Sequence, residues 1–484
     1  MSPNTLAWRF PRGTAACLVI ALTAAAGGFK LMEAPALGKR PTAIAVRDVT
    51  LIDGTGAAAR PGYTVIIAGN RITAVGPTGS VAVPKDAEIL IGEGRFLIPG
   101  LWDAHVHWHR PDYLPLFLAN GVTGIRLAWG EPKHRKWVRD INTEKLAGPR
   151  IYMAGAILDG PKPIWSFSRA VADENDGRKA VGETKELGAD FVKVYSRLPR
   201  EIFFAIADEA RKQGIPFAGH VPDSVNAGEA SDAGQRSIEH LSGILMASSS
   251  REDELRAQAN SAASSDMLAR RQIARAARES FEASKAERLF SRLVKNRTWQ
   301  VPTLVIQRNL ANLEDPKITS DPRARYLPDS ITKTWNPGQD IRTKGRSPEE
   351  LAAAKEGYAE VLRLVGQMNR AGVALAAGTD VFTLYTMPGF SLHDELALLV
   401  EAGLTPMQAL QAATLSVAQL IGRQSELGTI EPGKLADCVL LDADPLADIR
   451  NITRINAVVS DGRLLTRSAL DKMLEAAEKH ARSN

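Results

Sequence analysis

The 484-residue sequence predicts an α/β fold, a (β/α)8 TIM-like barrel joined to a small β-sandwich formed from N- and C-terminal segments. From Leu101 to about Ile421, short apolar strands alternate with helical stretches. About eight such repeats imply a parallel sheet that is covered on both faces and closed into a barrel. On either side of this region, alternating apolar and polar residues without a helical period predict short strands that pair with one another.

The same patterns divide the chain into parts. Arg9 and Arg12 precede an uncharged run from Thr14 to Gly28 that ends in small residues. This is typical of a secretory signal, and the run is shorter than the roughly 20 residues of a spanning helix. The predicted parts are a signal peptide (1–36), a composite β-sandwich domain (42–98 and 427–465), a barrel with helical insertions (99–426) and a C-terminal helix (466–484).

The leader predicts a secreted or periplasmic protein, and the alternative is a membrane anchor through an uncleaved leader. No other segment approaches transmembrane length, so no stable membrane span is expected after leader removal. Within the barrel region, residues 248–295 and 308–346 are too long for plain connections. The first is charged and helical in period, the second polar and rich in proline, and such segments commonly form lids or binding loops.

Composition excludes several classes of function. Lys plus Arg number 60 against 55 for Asp plus Glu, and the net charge of +5 is spread without a long basic run. A nucleic-acid binder concentrates its positive charge in a patch, so nucleic acid is not an expected partner. Two cysteines cannot build a disulfide framework. We expect a small-molecule substrate, and a homo-oligomer stays open.

Two histidines share one face of the first barrel strand. His105 and His107 lie in GLWDAHVHWH, and residues i and i+2 of a strand point the same way. Asp103 has the same parity one step deeper, where it could orient a histidine. Lys193 lies among apolar residues in ADFVKVY. It is either paired with a carboxylate or a lysine of depressed pKa that takes up carbon dioxide to form a carbamate.

Three further candidates end other strands. His220 lies in PFAGHVPD, His240 in RSIEHLSG and Asp380 in VALAAGTDV. Each alone could be structural, and Asp380 could cap a helix. Barrels keep their active sites at the carboxyl ends of the strands, and four of the eight histidines fall there. Taken together, this placement predicts a metal site.

The chain resembles the amidohydrolase superfamily. GRFLIPGLWDAHVHWH is similar to its first barrel strand and ELGTIEPGKLADCVLLDADP to its C-terminal return to the sandwich, so the resemblance covers about residues 42–465. GADFVKVY, AGHV, SIEHL and AAGTD resemble the branch of imidazolonepropionase-like proteins and Xaa-Pro dipeptidases. One departure is Leu127, where relatives often carry aspartate.

The resemblance implies a ligand set and a cofactor. His105, His107 and Asp380 would bind one divalent ion, His220 and His240 a second, and Lys193, carbamylated by carbon dioxide, would bridge the two. Zinc suits this donor set best. Mononuclear members of the superfamily lack the lysine, so its presence favours a binuclear hydrolase.

The expected reaction is hydrolysis of a C–N amide bond, in a dipeptide or an N-acyl amino acid, by a metal-activated water. Asp380 would accept the water's proton and pass it to the leaving amine. Tyr195 could donate a hydrogen bond to the oxyanion, Arg197 could hold a substrate carboxylate and His393 could line the pocket mouth. The alternative for each of the three is a purely structural role. The alternatives are a lactonase or esterase with the same binuclear site and a non-catalytic binding protein on a hydrolase scaffold.

Overall fold

Two eight-stranded sheets organise the computed structural model, in which residues 40–108, 110–262 and 266–483 are described. The predicted fold class is confirmed: one sheet forms a nearly closed parallel barrel, and the other is a separate mixed sheet of N- and C-terminal strands. The predicted leader, residues 1–36, lies outside the described residues.

The strands lie in two groups along the chain. They are β1 (Ala43–Leu51), β2 (Arg60–Ala68), β3 (Arg71–Pro77), β4 (Glu88–Ile91), β5 (Phe96–Pro99), β6 (Leu101–Val106), β7 (Val122–Leu127), β8 (Arg150–Asp159), β9 (Arg169–Ala170), β10 (Phe191–Val194), β11 (Phe217–Gly219), β12 (Ser237–Glu239), β13 (Trp299–Val301), β14 (Cys438–Leu441), β15 (Ile455–Ser460) and β16 (Arg463–Thr466).

The mixed sheet has the order β16-β15-β14-β5-β1-β2-β3, with β4 also paired to β1. Leu440 of β14 pairs with Leu97 of β5, which joins the two chain ends in one sheet. Ile44, Leu440 and Val459 belong to one buried apolar cluster, so strands from both chain ends share one core. Burying each such side chain stabilises the fold by about 1.5–3 kcal/mol.

The barrel runs in the order β13-β12-β11-β10-β8-β7-β6, with parallel pairing throughout and β9 beside β8. Residues 375–381 take the eighth position. Leu375 bridges to Gln300 of β13, and Val381 bridges to Val106 of β6. Because parallel strands need crossovers, helices follow the strands and cover the barrel.

The helices are α1 (Pro115–Ala119), α2 (Pro132–Asn142), α3 (Glu174–Glu186), α4 (Arg200–Gln213), α5 (Ala227–Asp232), α6 (Ile244–Ala247), α7 (Glu252–Ser261), α8 (Met267–Glu279), α9 (Ala283–Asn296), α10 (Leu304–Ala311), α11 (Pro316–Thr319), α12 (Asp329–Thr332), α13 (Pro348–Arg370), α14 (Phe390–Glu401), α15 (Pro406–Ala412), α16 (Leu415–Leu420) and α17 (Arg467–Ala481). Among the described residues, no helix is long and apolar enough to cross a membrane.

Local sequence explains where the long connections begin and end. Ser347 accepts a hydrogen bond from the Glu350 amide, and Glu350 bonds back to it, so this capping box starts α13. The helices α7 to α9 follow β12, and the connection from residue 302 to 347 follows β13. Both segments therefore leave the barrel at the carboxyl ends of its strands, the end that carries the predicted site.

Candidate active site

Six side chains converge at the carboxyl end of the barrel. Each comes from a strand or from a residue just after one: His105 in β6, His107 after it, Lys193 in β10, His220 after β11, His240 after β12, and Asp380 in the eighth position. Parallel strands present their carboxyl ends at one edge, so the topology brings these distant residues together.

The first three donors lie within reach of one ion. Nε2 of His105 is 3.0 Å from Nε2 of His107. Oδ1 of Asp380 is 3.4 Å from the first nitrogen and 3.2 Å from the second. Ligands bound tetrahedrally at roughly 2.0–2.1 Å are about 3.3 Å apart. The donor spacing therefore fits a single divalent cation.

A second set of donors overlaps the first. One donor atom each from His105, His240 and Asp380 lies within 4.8 Å of the others. The His240 ring centroid is 4.6 Å from that of His105 and 4.9 Å from that of His220. Two groups of donors thus share His105 and Asp380.

Burial keeps three histidines of the cluster, His107, His220 and His240, uncharged. It lowers the pKa of His107 to about 4 and that of His240 to about 3, although Asp380 opposes both shifts. Burial and the neighbouring His240 also lower the pKa of His220 well below its usual value. Burial raises the pKa of Asp380, but His240, His105 and His107 outweigh it and hold that pKa well below its ordinary value. Neutral imidazoles and an ionised carboxylate are the forms that bind metal.

Hydrogen bonds fix which ring nitrogen faces the cluster. The Thr303 hydroxyl donates to the Pro302 carbonyl at 2.8 Å, so it accepts from Nδ1 of His240 at 2.7 Å. Nε2 of His240 then carries the lone pair. Nδ1 of His220 is 2.8 Å from the Ser196 hydroxyl, which orients that ring in the same manner.

The backbone is strained where the site is built. His240, Thr303 and Asp380 have φ of +58°, +49° and +57°, in the left-handed region. A residue there costs about 1–3 kcal/mol, and a β-branched threonine is a marked outlier. Such strain persists only where surrounding contacts impose it, and it is concentrated at functional sites.

Lys193 is the unusual member of the cluster. Its side chain is 1% exposed, and Nζ makes no hydrogen bond with the described residues. Burial lowers its pKa to about 8, although Glu239 opposes the shift. A buried amine without a partner is costly unless it reacts or binds a ligand. The residue therefore fits a carbamate, whose formation needs the neutral amine.

A buried carboxylate that sequence reasoning missed orients the first histidine. Oε2 of Glu239 accepts from Nδ1 of His105 at 2.6 Å, and Oε1 accepts from Arg126 Nη1 at 3.0 Å. The expected orienting residue, Asp103, instead accepts the His105 backbone amide at 3.2 Å and the Thr379 hydroxyl at 2.6 Å. Asp103 thus holds the backbone beside Asp380. The sequence did carry a signal for this pair, because Arg126 in β7 and Glu239 in β12 are charged residues within apolar strands.

Removing Arg126 is expected to destabilise the barrel. Arg126→Ala leaves the buried Glu239 without its charged partner, which costs about 3–5 kcal/mol. We expect a lower midpoint in denaturant unfolding and a lower metal content. Arg450→Ala, at an arginine whose side chain is 79% exposed, should change neither. The pair Arg126→Met with Glu239→Gln should recover part of the stability but not the metal content. Unchanged unfolding in Arg126→Ala would contradict this role.

Tyr195 borders the cluster. Its ring centroid is 4.0 Å from that of His220, and Trp165 Nε1 donates to its hydroxyl oxygen at 2.8 Å. Burial raises the Tyr195 pKa, although the Trp165 bond opposes the shift, so the hydroxyl stays protonated. An indole N–H only donates, and the tyrosine hydrogen is therefore left for another acceptor.

The structure does not bring the other two predicted residues to the cluster. Arg197 donates to the carbonyls of Ala259 and Ala262 at the end of α7, at 3.4 and 2.8 Å. His393 lies in α14, and its Nε2 is 2.9 Å from the carbonyl of Asn120. Asn120 precedes β7, so the His393 ring is used in packing α14 against the residues before that strand.

Comparison with known proteins covers parts of the sequence and nearly the whole fold. A model described as the amidohydrolase family matches residues 351–465. An adenine deaminase of Ruegeria pomeroyi is 39% identical over 153 residues, which are 31% of this chain and 24% of that protein. The chain thus spans about a quarter of that curated relative.

Solved structures extend the likeness. A bottromycin amidohydrolase is 25% identical, with a TM-score of 0.69 over 91% of both chains. A Xaa-Pro dipeptidase is 20% identical, with a TM-score of 0.63 over 88% of this chain and all of that one, and shares the fold. The barrel, the mixed sheet of both chain ends and the matched family model agree with these likenesses. The C-terminal quarter of the chain thus matches the amidohydrolase family model, and the whole described fold is similar to solved amidohydrolase structures.

Proposed function

We propose that the protein is a metal-dependent hydrolase of C–N amide bonds. The observation that carries the proposal is the cluster itself: neutral imidazoles, the ionised Asp380 and the unpartnered Lys193 amine meet at the carboxyl end of the barrel. A cluster that served only packing in the core, or one on the protein surface, would not need this combination of metal-binding groups.

The residues present fit two divalent ions. His105, His107 and Asp380 would hold one, and His220 and His240 the other. Lys193, as its carbamate, would offer one oxygen to each. When bound, such ions lower the pKa of a coordinated water towards neutrality and polarise a carbonyl oxygen. Zinc suits the nitrogen and carboxylate donors.

The protein's own groups would carry the protons and orient the substrate. Asp380 is ionised and faces the cluster, so its carboxylate can take a proton from the attacking water and deliver it to the leaving amine. Tyr195 can donate its hydroxyl hydrogen to the oxygen on which negative charge develops. Trp165 holds that hydroxyl in place.

The substrate class we propose is a dipeptide or an N-acyl amino acid. Support comes from the likeness to a bottromycin amidohydrolase and, at the level of fold, to a Xaa-Pro dipeptidase. The lysine favours hydrolysis over the deamination named in the adenine deaminase relative, because the resemblance ties it to a binuclear site.

Removing the Tyr195 hydroxyl is expected to lower kcat more than KM. Tyr195→Phe keeps the ring beside His220 but removes a donor to the transition state, so we expect a fall in kcat on the order of 10²–10³-fold. Trp165→Phe removes only the bond to that hydroxyl and should cost up to roughly tenfold. Tyr152→Phe, at a hydroxyl bonded to the Asp190 carbonyl, is the control. A normal kcat in Tyr195→Phe would assign the tyrosine to structure.

A substrate panel tests the reaction class. The full chain, loaded with zinc and bicarbonate, is assayed for free-amine release from dipeptides and N-acyl amino acids, and in parallel for hydrolysis of lactones and esters. Release from a coherent set of amides supports the proposal. Hydrolysis of C–O bonds alone would make the protein a lactonase or esterase. No turnover with metal bound would leave a binding protein on this scaffold.

A further inference from the structure

A buried carboxylate in α14 holds the first turn of α10. The Glu395 side chain is fully buried, and its two oxygens accept the backbone amides of Leu304, at 2.9 Å, and Val305, at 2.7 Å. The first amides of a helix have no partner within it, so they need an acceptor from outside. Burial raises the pKa of Glu395 to about 8, although both amides oppose the shift. A local cap, such as Ser347 at α13, serves a helix without burying an acid, so the cost points to a second role.

The capped turn carries the hydroxyl that orients His240. Thr303 immediately precedes Leu304, and its hydroxyl accepts a hydrogen bond from Nδ1 of His240 at 2.7 Å. Thr303 is also strained, with φ of +49°, and a β-branched residue keeps that conformation only where its surroundings impose it. The two amides that Glu395 holds belong to the next two residues. They fix the chain where it leaves the strained turn.

The two helices joined by this clamp are each anchored elsewhere in the protein. In α10, Nδ2 of Asn309 donates to the carbonyl of Tyr385 at 3.0 Å, in the segment that follows the eighth barrel position. In α14, Nε2 of His393 is 2.9 Å from the Asn120 carbonyl, just before β7. Because each helix has its own anchor, the carboxylate between them sets the position of the turn that begins α10.

We propose that Glu395 is a positioning residue, which fixes Thr303 and through it directs the Nε2 lone pair of His240 towards a metal ion. The inference rests on the proposed function, because it concerns the ion that His220 and His240 would hold. Glu395 lies one step behind Thr303 and would contact neither metal nor substrate. Loss of an outer partner of a metal-binding histidine typically weakens metal binding by about 10- to 100-fold, and we expect an effect in this range.

The zinc affinity of a Glu395→Gln variant tests this assignment. Glutamine has the shape of glutamate, but its amide nitrogen cannot accept a hydrogen bond, so one of the two backbone amides loses its partner. The full chain, supplied with bicarbonate, is titrated with zinc in competition with a chromophoric chelator. We expect one of the two zinc affinities to fall by roughly 10- to 100-fold and the other to stay unchanged.

A second substitution separates positioning from stability. Thr303→Val keeps the branched shape but removes the hydroxyl, and it should lower the same zinc affinity. In that background Glu395→Gln should lower the affinity no further, because the path to His240 is already broken. Ser347→Ala, which removes the cap of α13, is the matched control. It should lower the unfolding midpoint and leave both zinc affinities unchanged.

The ring of His240 also provides a readout without metal. Nitrogen-15 shifts of the zinc-free protein, assigned by the signals that His240→Gln removes, should show a single tautomer with its hydrogen on Nδ1 in the wild type. Glu395→Gln should add the other tautomer. If Glu395→Gln does not fold, Glu395→Asp takes its place, since the shorter side chain cannot reach both amides.

The outcomes distinguish this inference from the proposed function. Wild-type zinc affinities and a wild-type tautomer in a folded Glu395 variant would overturn the inference and leave Glu395 as a cap of α10. An undiminished loss of affinity in the Thr303→Val background would do the same. If the predicted effects appear but no amide is hydrolysed, the positioning role stands and the proposed reaction fails. If the wild type binds no zinc, the proposed function fails, and the tautomer of His240 alone decides the inference.

Discussion

Lys193→Ala is expected to abolish amide hydrolysis and to lower the number of ions bound per chain. The amine lies buried in the cluster without a hydrogen-bond partner, and its carbamate would touch both ions. Its loss should cost more than the roughly 100-fold that follows loss of an outer partner of a metal ligand. The measurement is turnover of the best amide of the panel, together with metal content by mass spectrometry.

A matched lysine and a rescue reagent sharpen this test. Lys185 is exposed and donates to the Gln213 carbonyl at 2.8 Å, so Lys185→Ala should retain both activity and metal. A short carboxylic acid can enter the space left by the truncated Lys193 and replace the two oxygens of the carbamate. Partial rescue by that acid is expected. Unchanged turnover in Lys193→Ala would contradict the bridging role of this lysine.

Asp380→Asn is expected to lower kcat by roughly 10²–10⁴-fold, the range for loss of a general acid or base. The amide has the same shape but cannot carry a proton between water and amine. Asparagine tolerates the left-handed backbone as well as aspartate does, so φ of +57° at this position does not confound the result.

The Asp380→Asn measurement needs metal content and unfolding midpoint alongside kcat. A carboxylate lost from the cluster also weakens the metal site, and assays at saturating zinc separate that effect from proton transfer. Asp471→Asn, at a surface aspartate paired with Arg467, is the control and should leave kcat, metal content and the unfolding midpoint unchanged. Wild-type kcat in Asp380→Asn at full metal occupancy would show that another group moves the proton.

The sequence predicted the barrel and the members of the cluster because both depend on local periodicity. A strand that alternates in apolar character reveals which side chains share a face, and this placed His105 with His107. A charge inside an apolar strand is equally visible, as Lys193 shows. Asp103 was expected to orient a histidine ring, but Glu239 bonds to the ring of His105. Parity within β6 does not show that β12, which does not pair with β6, brings Glu239 to that ring.

Residues on connections could not be placed from the sequence. Arg197 was expected at the substrate, but α7, some 60 residues later, offers it unpaired helix carbonyls. His393 follows the last strand, yet the chain first packs against the residues before β7. A Cβ at Gly389 would lie 2.6 Å from the Leu116 carbonyl oxygen, so only glycine allows the approach.

The central claim is that this cluster hydrolyses amides only when it holds metal. The most direct measurement removes metal from the full chain with a chelator and restores zinc stepwise with bicarbonate, while free-amine release from the best amide is followed. The account predicts no release by the stripped protein and a rise that saturates at two ions per chain. Release that persists without metal, or two bound ions with no release from any amide, would contradict it.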